Sequence, residues 1–295
     1  MSKKYNFLLI VLAGCLWGTL GIFVRKFNEY GITSMSIVFV RSLLTAVCVL
    51  GAGAVFCPGL LKFRLKDIWI FSGMGLCSIV LFNYCYFKAV TLMSLSAAAI
   101  LLYTSPIFVM LMSAMFFREK ITVRKIISAV VSLAGLILVT GFIGDAETVT
   151  PNGLIYGIGS AAGYALYSIF NRAAINKGYS ALAVTGWSFA FAAVFSVMTS
   201  DIKSISGMFS ENRAMIGYAL IFSICASVLP NIFYSIGLKG TENSTAAVVA
   251  SAEPVAATLF GMIIYKEIPS VSALIGIAVV IAAMFMITGS KSTDK

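Results

Sequence analysis

Ten stretches of about 20 apolar residues, separated by short polar breaks, constrain this chain more than anything else in it. A helix rises about 1.5 Å per residue, so roughly 20 residues cross about 30 Å of hydrocarbon. A helix also pairs its own backbone N–H and C=O groups on the way, which hydrocarbon cannot do for it. The first five runs are Phe7–Val24, Thr33–Phe56, Ile68–Val90, Leu95–Phe117 and Ile126–Ile143. The second five are Asn152–Phe170, Ala181–Met198, Ala214–Leu238, Thr245–Tyr265 and Val271–Ile287. The breaks, such as Cys57-Pro58-Gly59, Asp145 to Pro151 and Asp201 to Arg213, are too short for a soluble domain. Lys3 and Lys4 precede the first run and Arg25 and Lys26 follow it, with no small-residue cleavage site, so it reads as a retained span.

Composition supports the same class. The 295 residues are 60% hydrophobic and 11% charged, with a mean hydropathy of +1.00, where a soluble domain carries about 25% charged residues. The net charge of +10 follows topology. With the N-terminus inside, 14 Lys and Arg residues fall in inside segments, among them Lys62, Arg64, Lys66, Arg118, Lys120, Arg124 and Lys125. Six fall outside: Arg25, Lys26, Lys88, Lys203, Arg213 and Lys266. Basic residues accumulate in cytoplasmic loops, so both termini are expected in the cytoplasm of a multi-pass cell-membrane protein. A nucleic-acid partner loses its main support; the bilayer is the expected surrounding. There is no histidine, and the six cysteines show no C-x-x-C spacing, so no metal or cofactor is expected. With one deep carboxylate and no histidine, an intramembrane enzyme lacks its acid–base partners. Direct use of ATP lacks a P-loop.

The two halves repeat. A shift of 148 superposes Asn83-x-x-Tyr86 on Asn231-x-x-Tyr234, Ser96-x-Ala98-Ala99 on Ser244-x-Ala246-Ala247, and Pro106 on Pro254. The same shift places Arg118-Glu119 on Lys266-Glu267; a shift of 147 places Trp17-Gly18 on Tyr164-Ala165 and Arg25 on Arg172. Five spans per half is an odd number, so the second copy enters the membrane inverted. Inverted repeats characterise secondary transporters, whose halves exchange inward-open and outward-open states around a central site. The expected fold is all-α and integral to the membrane: ten helices as two inverted five-helix repeats, residues 1–145 and 146–295, around a central cavity.

Several of these residues also carry a family resemblance. Leu16-Trp17-Gly18, Tyr103-Thr104-Ser105-Pro106 continuing to Phe117-Arg118-Glu119-Lys120-Ile121, and Ala252-Glu253-Pro254-Val255 continuing to Tyr265-Lys266-Glu267 resemble the EamA-type pattern of the drug/metabolite transporter superfamily. The likeness covers essentially the whole chain as two repeats. It implies ten helices, a central cavity and export or uptake of small metabolites, often amino acids or related compounds.

Charges inside hydrocarbon are costly, roughly 3 kcal/mol on insertion scales, and should face protein or a wet cavity. Of eleven acidic residues only Glu253 lies near the middle of a run. It reads either as a cavity carboxylate for a cation or proton, or as a hydrogen-bonded lock between helices. Arg41 is the only other deep charge. It either snorkels to the interface or faces inward to bind a substrate carboxylate or pair with Glu253. The repeat counterparts of these two are Ser105 and Ser188. Asn83 and Asn231 read first as hydrogen-bonding glue between helices. Trp17, Tyr84, Tyr86, Tyr103, Tyr164 and Tyr167 are candidates for stacking, though packing explains any one of them. Pro106, Pro230 and Pro254 mark helix breaks or hinges. Arg118-Glu119 and Lys266-Glu267 read as interface anchors, with gating as the alternative.

The expected function is therefore a secondary transporter that moves a small amino acid-like, polar or amphipathic metabolite, in the export direction, by alternating access. Substrate contacts fall to Trp17, Arg41, Asn83, Tyr103, Asn231 and Glu253, with a proton or another ion allowed as coupling partner. Multidrug or cation efflux is the alternative on the same fold. A channel or a non-transporting membrane partner is less favoured, because no filter sequence or ring of like charge is visible.

Overall fold

A computed structural model describes residues 3–141 and 150–288. Ten helical segments in it are long and apolar enough to cross a membrane. Spans 1–5 are Lys3–Asn28, Ser34–Phe56, Leu65–Leu92, Leu95–Phe117 and Val123–Thr140; spans 6–10 are Pro151–Asn176, Ala181–Thr199, Ala214–Leu238, Asn243–Tyr265 and Val271–Thr288. Each expected run lies on one of them, with boundaries moved by a few residues. The expected end of span 5 at Ile143, the repeat junction at 145/146, and Lys291 and Lys295 lie outside the described residues.

Packing follows the repeat. Span 2 packs along span 7 and span 5 along span 10, while the pair of spans 3 and 6 is matched by the pair of spans 8 and 1. Exchanging the two repeats maps this set of neighbours onto itself, as a pseudo-two-fold axis between them requires. Small residues allow the close approaches. A Cβ on Gly276 would stand 2.5 Å from the Gly135 carbonyl oxygen, so spans 5 and 10 touch backbone to backbone. A Cβ on Gly18 would stand 2.8 Å from the Glu253 carbonyl oxygen and the Ala257 nitrogen. Span 1 is thereby pressed against span 9 beside its deep carboxylate.

Several spans are broken. Span 1 turns at Gly18-Thr19, span 4 at Tyr103-Thr104 and span 9 at Ser251. The last two breaks are repeat-equivalent, and Pro106 and Pro254 follow them directly. A proline lacks the N–H that would bond the carbonyl four residues back, which here frees the carbonyls of Leu102 and Ala250. Spans 3 and 8 instead widen into π-type turns over Met74–Leu81 and Ile224–Val228. Pro230 closes the second of these turns; its counterpart, Phe82, closes the first without a proline.

The stretch from Asp201 to Arg213 is more than the plain break expected of it. Residues Ile202–Glu211 form an amphipathic helix whose Ile205 and Met208 are buried against Phe27, Ile37 and Phe222. Asp201 caps it: Oδ1 accepts from the Lys203 and Ser204 N–H groups, both at 3.1 Å, and Oδ2 from the Ser204 hydroxyl at 2.6 Å. The Ser204 bonds hold the Asp201 carboxyl below the usual carboxylate range. Its folded pKa is thus depressed, so capping operates above the unfolded pKa and is lost as pH falls through the folded one.

The contact at Gly18 is testable. Gly18→Ala forces the spans apart and should cost about 1–3 kcal/mol of stability, the usual cost of overpacking. Gly21→Ala, where nothing lies within 4 Å of the added Cβ, should cost nothing. Thermal unfolding of the two variants in detergent separates them.

Candidate functional site

The breaks of spans 1 and 9 and the widened turns of spans 3 and 8 border one cavity. Its wall takes Trp17 and Leu20 from span 1, Arg41 from span 2, and Ser78, Ile79, Phe82 and Asn83 from span 3. The second repeat supplies Tyr164 and Tyr167 from span 6, Phe189 from span 7, Asn231 from span 8 and Glu253 from span 9. Both repeats therefore build it, and its volume is about 80 Å³. That is room for a few waters or a small polar fragment, far below the 300–1,000 Å³ of a drug-sized site.

Glu253 sits in the first turn of the second half of span 9, Ala252–Tyr265, where the helix N-terminus favours negative charge. Its Oε2 accepts a hydrogen bond from the Tyr164 hydroxyl at 2.9 Å. Tyr164 is the repeat counterpart of Trp17, so this bond has no equivalent in the other half. Arg41 lines the same cavity instead of snorkelling to the interface. No hydrogen bond or ion pair joins its guanidinium to any described residue, and its buried Nε has no partner. The ion pair with Glu253 left open by the sequence is therefore not formed. Two opposite charges face one cavity, one held by a tyrosine and the other unpaired.

Asn83 and Asn231 correct the expectation of glue between helices. Each amide stays within its own helix, donating from Nδ2 to the carbonyl four residues back: Asn83 to Ile79 at 2.7 Å, Asn231 to Ser227 at 2.6 Å. Those carbonyls belong to the π-type turns, whose widened ladder leaves them short of a donor. Neither Oδ1 takes a donor from a described residue, so both are free acceptors on the cavity wall.

Trp17 leans on Tyr234 and Tyr167, with ring centroids 5.4 and 6.0 Å away. These rings, with the buried Ser168–Tyr234 hydrogen bond, pack against the buried core that holds Ile10 and Leu238. Tyr103 does not line the cavity; it ends the first half of span 4 and packs against the core that includes Ile10 and Val249. Pro106, Pro230 and Pro254 are buried beside the breaks and turns rather than in the wall. Tyr84 is exposed on the outside of span 3 and meets Tyr156 edge-on. Leu20, Ser78, Ile79, Phe82 and Phe189 also line the cavity, and nothing in the sequence singles them out. On an ordinary helix Ser78 and Asn83 stand about 140° apart, and only the wide turn brings them to one side, so helical spacing carried no signal for them.

The comparisons with known proteins decide the family. The model of the EamA-like transporter family matches residues 5–141 and again 151–289. The chain belongs to the EamA-like transporter family. The second match begins where span 6 begins, so each EamA unit is one five-helix repeat. An uncharacterized transporter of Archaeoglobus fulgidus is 24% identical over 287 residues, covering 96% of each chain. The uncharacterized transporter YetK of Bacillus subtilis is 24% identical over 252 residues, covering 83% of this chain and 76% of its own. One solved crystal structure superposes with a TM-score of 0.76 at 19% identity, covering 97% of this chain and 96% of its own, which speaks to the fold. The protein is a multi-pass membrane transporter of the EamA family, with two inverted repeats around a central cavity.

The equivalence of the two asparagines predicts equal losses. Asn83→Ala and Asn231→Ala should each destabilise by about 1–3 kcal/mol, the usual penalty for leaving a buried carbonyl unpaired. Thermal unfolding in detergent reads both; a loss confined to one variant contradicts the equivalence.

Proposed function

We propose that this EamA protein is a secondary carrier for a small zwitterionic or amphipathic metabolite of amino-acid type, exported by alternating access of the central cavity. The observation that carries the reading is the unpaired Arg41 guanidinium facing the same cavity as the Tyr164-bound Glu253 carboxylate. An unpaired cation inside a membrane protein is expensive, and a substrate carboxylate relieves that cost. Glu253 then receives a substrate ammonium group or a proton. Asn83 and Asn231 offer free amide oxygens, and Trp17 an aromatic face. Tyr103 acts on the site through the break in span 4.

A cation-efflux carrier would have used Glu253 and the aromatic rings alone; Arg41 speaks against it. The 14-to-6 basic asymmetry supports cytoplasmic termini in the cell membrane; the family resemblance is compatible with export and with uptake alike, and export is the direction proposed here. The repeats meet at 145/146 in this reading.

Counterflow in proteoliposomes tests it. A zwitterionic amino acid should exchange with saturation, while its decarboxylated amine should exchange at least about tenfold less, because it lacks the partner for Arg41. Arg41→Gln should remove that preference. Glu253→Gln should abolish any pH dependence of exchange. Equal transport of the amine and the amino acid overturns the assignment of Arg41, and conductance without exchange overturns the carrier.

A further inference from the structure

The two ends of the cavity differ, and the difference lies in residues that the repeat makes equivalent. At the N-terminal face, Glu119 reaches from the turn between spans 4 and 5 to the start of span 9. Its Oε1 accepts from the Asn243 N–H at 2.8 Å, and its Oε2 from the Ser244 N–H at 3.3 Å and hydroxyl at 3.0 Å. A carboxylate from the first repeat thus caps a helix of the second. Arg172 secures the same corner, donating from Nε to Asn243 Oδ1 at 2.7 Å and from Nη2 to the Thr241 carbonyl. Glu119 is therefore not an interface anchor.

At the opposite face stand the counterparts: Glu267 for Glu119, Arg25 for Arg172, and Ser96 for Ser244. The supporting backbone is the same. Arg118 and Lys266 both adopt the left-handed conformation at φ 55°, and the next N–H, of Glu119 or Glu267, bonds Ser113 or Gly261 at 3.3 Å in each case. The side chains nevertheless do different things. Glu267 is half exposed and, among the described residues, pairs only with the half-exposed Arg25, at 2.9 Å. The Ser96 hydroxyl donates to the Thr140 carbonyl. The N–H groups of Leu95 and Ser96, at the start of span 4, have no partner outside their own helix among the described residues.

Packing shows the same asymmetry. The first half of span 9, Asn243–Ala250, packs on the second half of span 4 and on span 6. The equivalent surfaces, the first half of span 4 (Leu95–Leu102) against the second half of span 9 and span 1, do not pack in this way.

We propose that Glu119 and Glu267 close opposite ends of the cavity by turns, each by capping the broken helix of the other repeat. The described state is closed at the N-terminal face by Glu119. In the opposite state Glu267 accepts from the N–H groups of Leu95 and Ser96 and from the Ser96 hydroxyl, Arg25 stays with it, and the Glu119 cap on span 9 is released. This rests on the alternating-access reading above. The two caps compete because the first halves of spans 4 and 9 belong to repeats that rock against each other around one cavity.

The test uses full-length protein in nanodiscs, with the six native cysteines replaced and spin labels at two pairs of exposed positions. One pair, Lys120→Cys with Lys239→Cys, spans the N-terminal face; the other, Thr91→Cys with Ile268→Cys, spans the opposite face. Glu119→Gln should shift the population by about tenfold, lengthening the first distance and shortening the second together. Ser244→Ala, a milder change, should move both the same way by less. Glu267→Gln should do the reverse and enrich the described state. Unchanged distances in Glu119→Gln, or a lengthened first distance with the second unmoved, overturns the proposal. If Glu119→Gln does not fold, Ser244→Ala and Glu267→Gln decide it by the same two distances. Counterflow on the same samples separates the claims. Exchange without reciprocal shifts removes the paired caps and leaves the carrier; reciprocal shifts without exchange do the opposite.

Discussion

Hydrocarbon offers no hydrogen-bond partner, and that constraint organises this molecule. Every break in a helix and every deep charge must be satisfied by the protein or turned toward a polar space. The chain gathers several of its exceptions around one cavity. The broken span 1, the π-type turns of spans 3 and 8 and the break of span 9 border the cavity that holds Arg41 and Glu253. Tyr164 binds the carboxylate, Asn83 and Asn231 bind the carbonyls that their widened turns release, and the guanidinium forms no hydrogen bond or ion pair with any described residue. A static scaffold would gain from pairing or deleting that charge; a carrier has a use for leaving it free.

The inverted repeat supplies the second half of the account. One sequence pattern used twice gives a backbone frame with two nearly interchangeable ends, seen in the matched left-handed residues Arg118 and Lys266 and the matched breaks before Pro106 and Pro254. The substitutions within that frame carry the chemistry. Ser105 opposite Glu253, Ser188 opposite Arg41 and Trp17 opposite Tyr164 make the cavity chemically one-sided, as recognition of an asymmetric molecule needs. Glu119 and Glu267 stay the same at the two ends, where a reversible closure needs equal partners.

Much of this was legible in the sequence. Spans are readable because about 20 consecutive apolar residues have few other uses, and a deep Arg and Glu stand out against them. The prolines announced the breaks of spans 4 and 9. What the sequence concealed depends on distant partners or on helix winding. Tyr164 meets Glu253 across 89 residues and Glu119 meets Asn243 across 124, and neither contact leaves a local trace. The turn at Met74–Leu81 is as apolar as an ordinary helix, so hydropathy does not reveal its winding, and Asn83 looked like glue between helices when it repairs its own. The helix at Ile202–Glu211 had its signal, an Asp cap followed by Ile205, Met208 and Phe209, and was hidden only by its short length beside the spans.

The central claim is that a single cavity between the repeats opens to one face at a time. A cysteine placed at Ser78 on the cavity wall, in sealed vesicles of defined orientation, can be challenged from either side with a membrane-impermeant maleimide. The account predicts modification from both sides, with a zwitterionic substrate or a cap variant raising the rate from one face while lowering it from the other. Modification from one side under every condition, or rates that rise together at both faces, would contradict it.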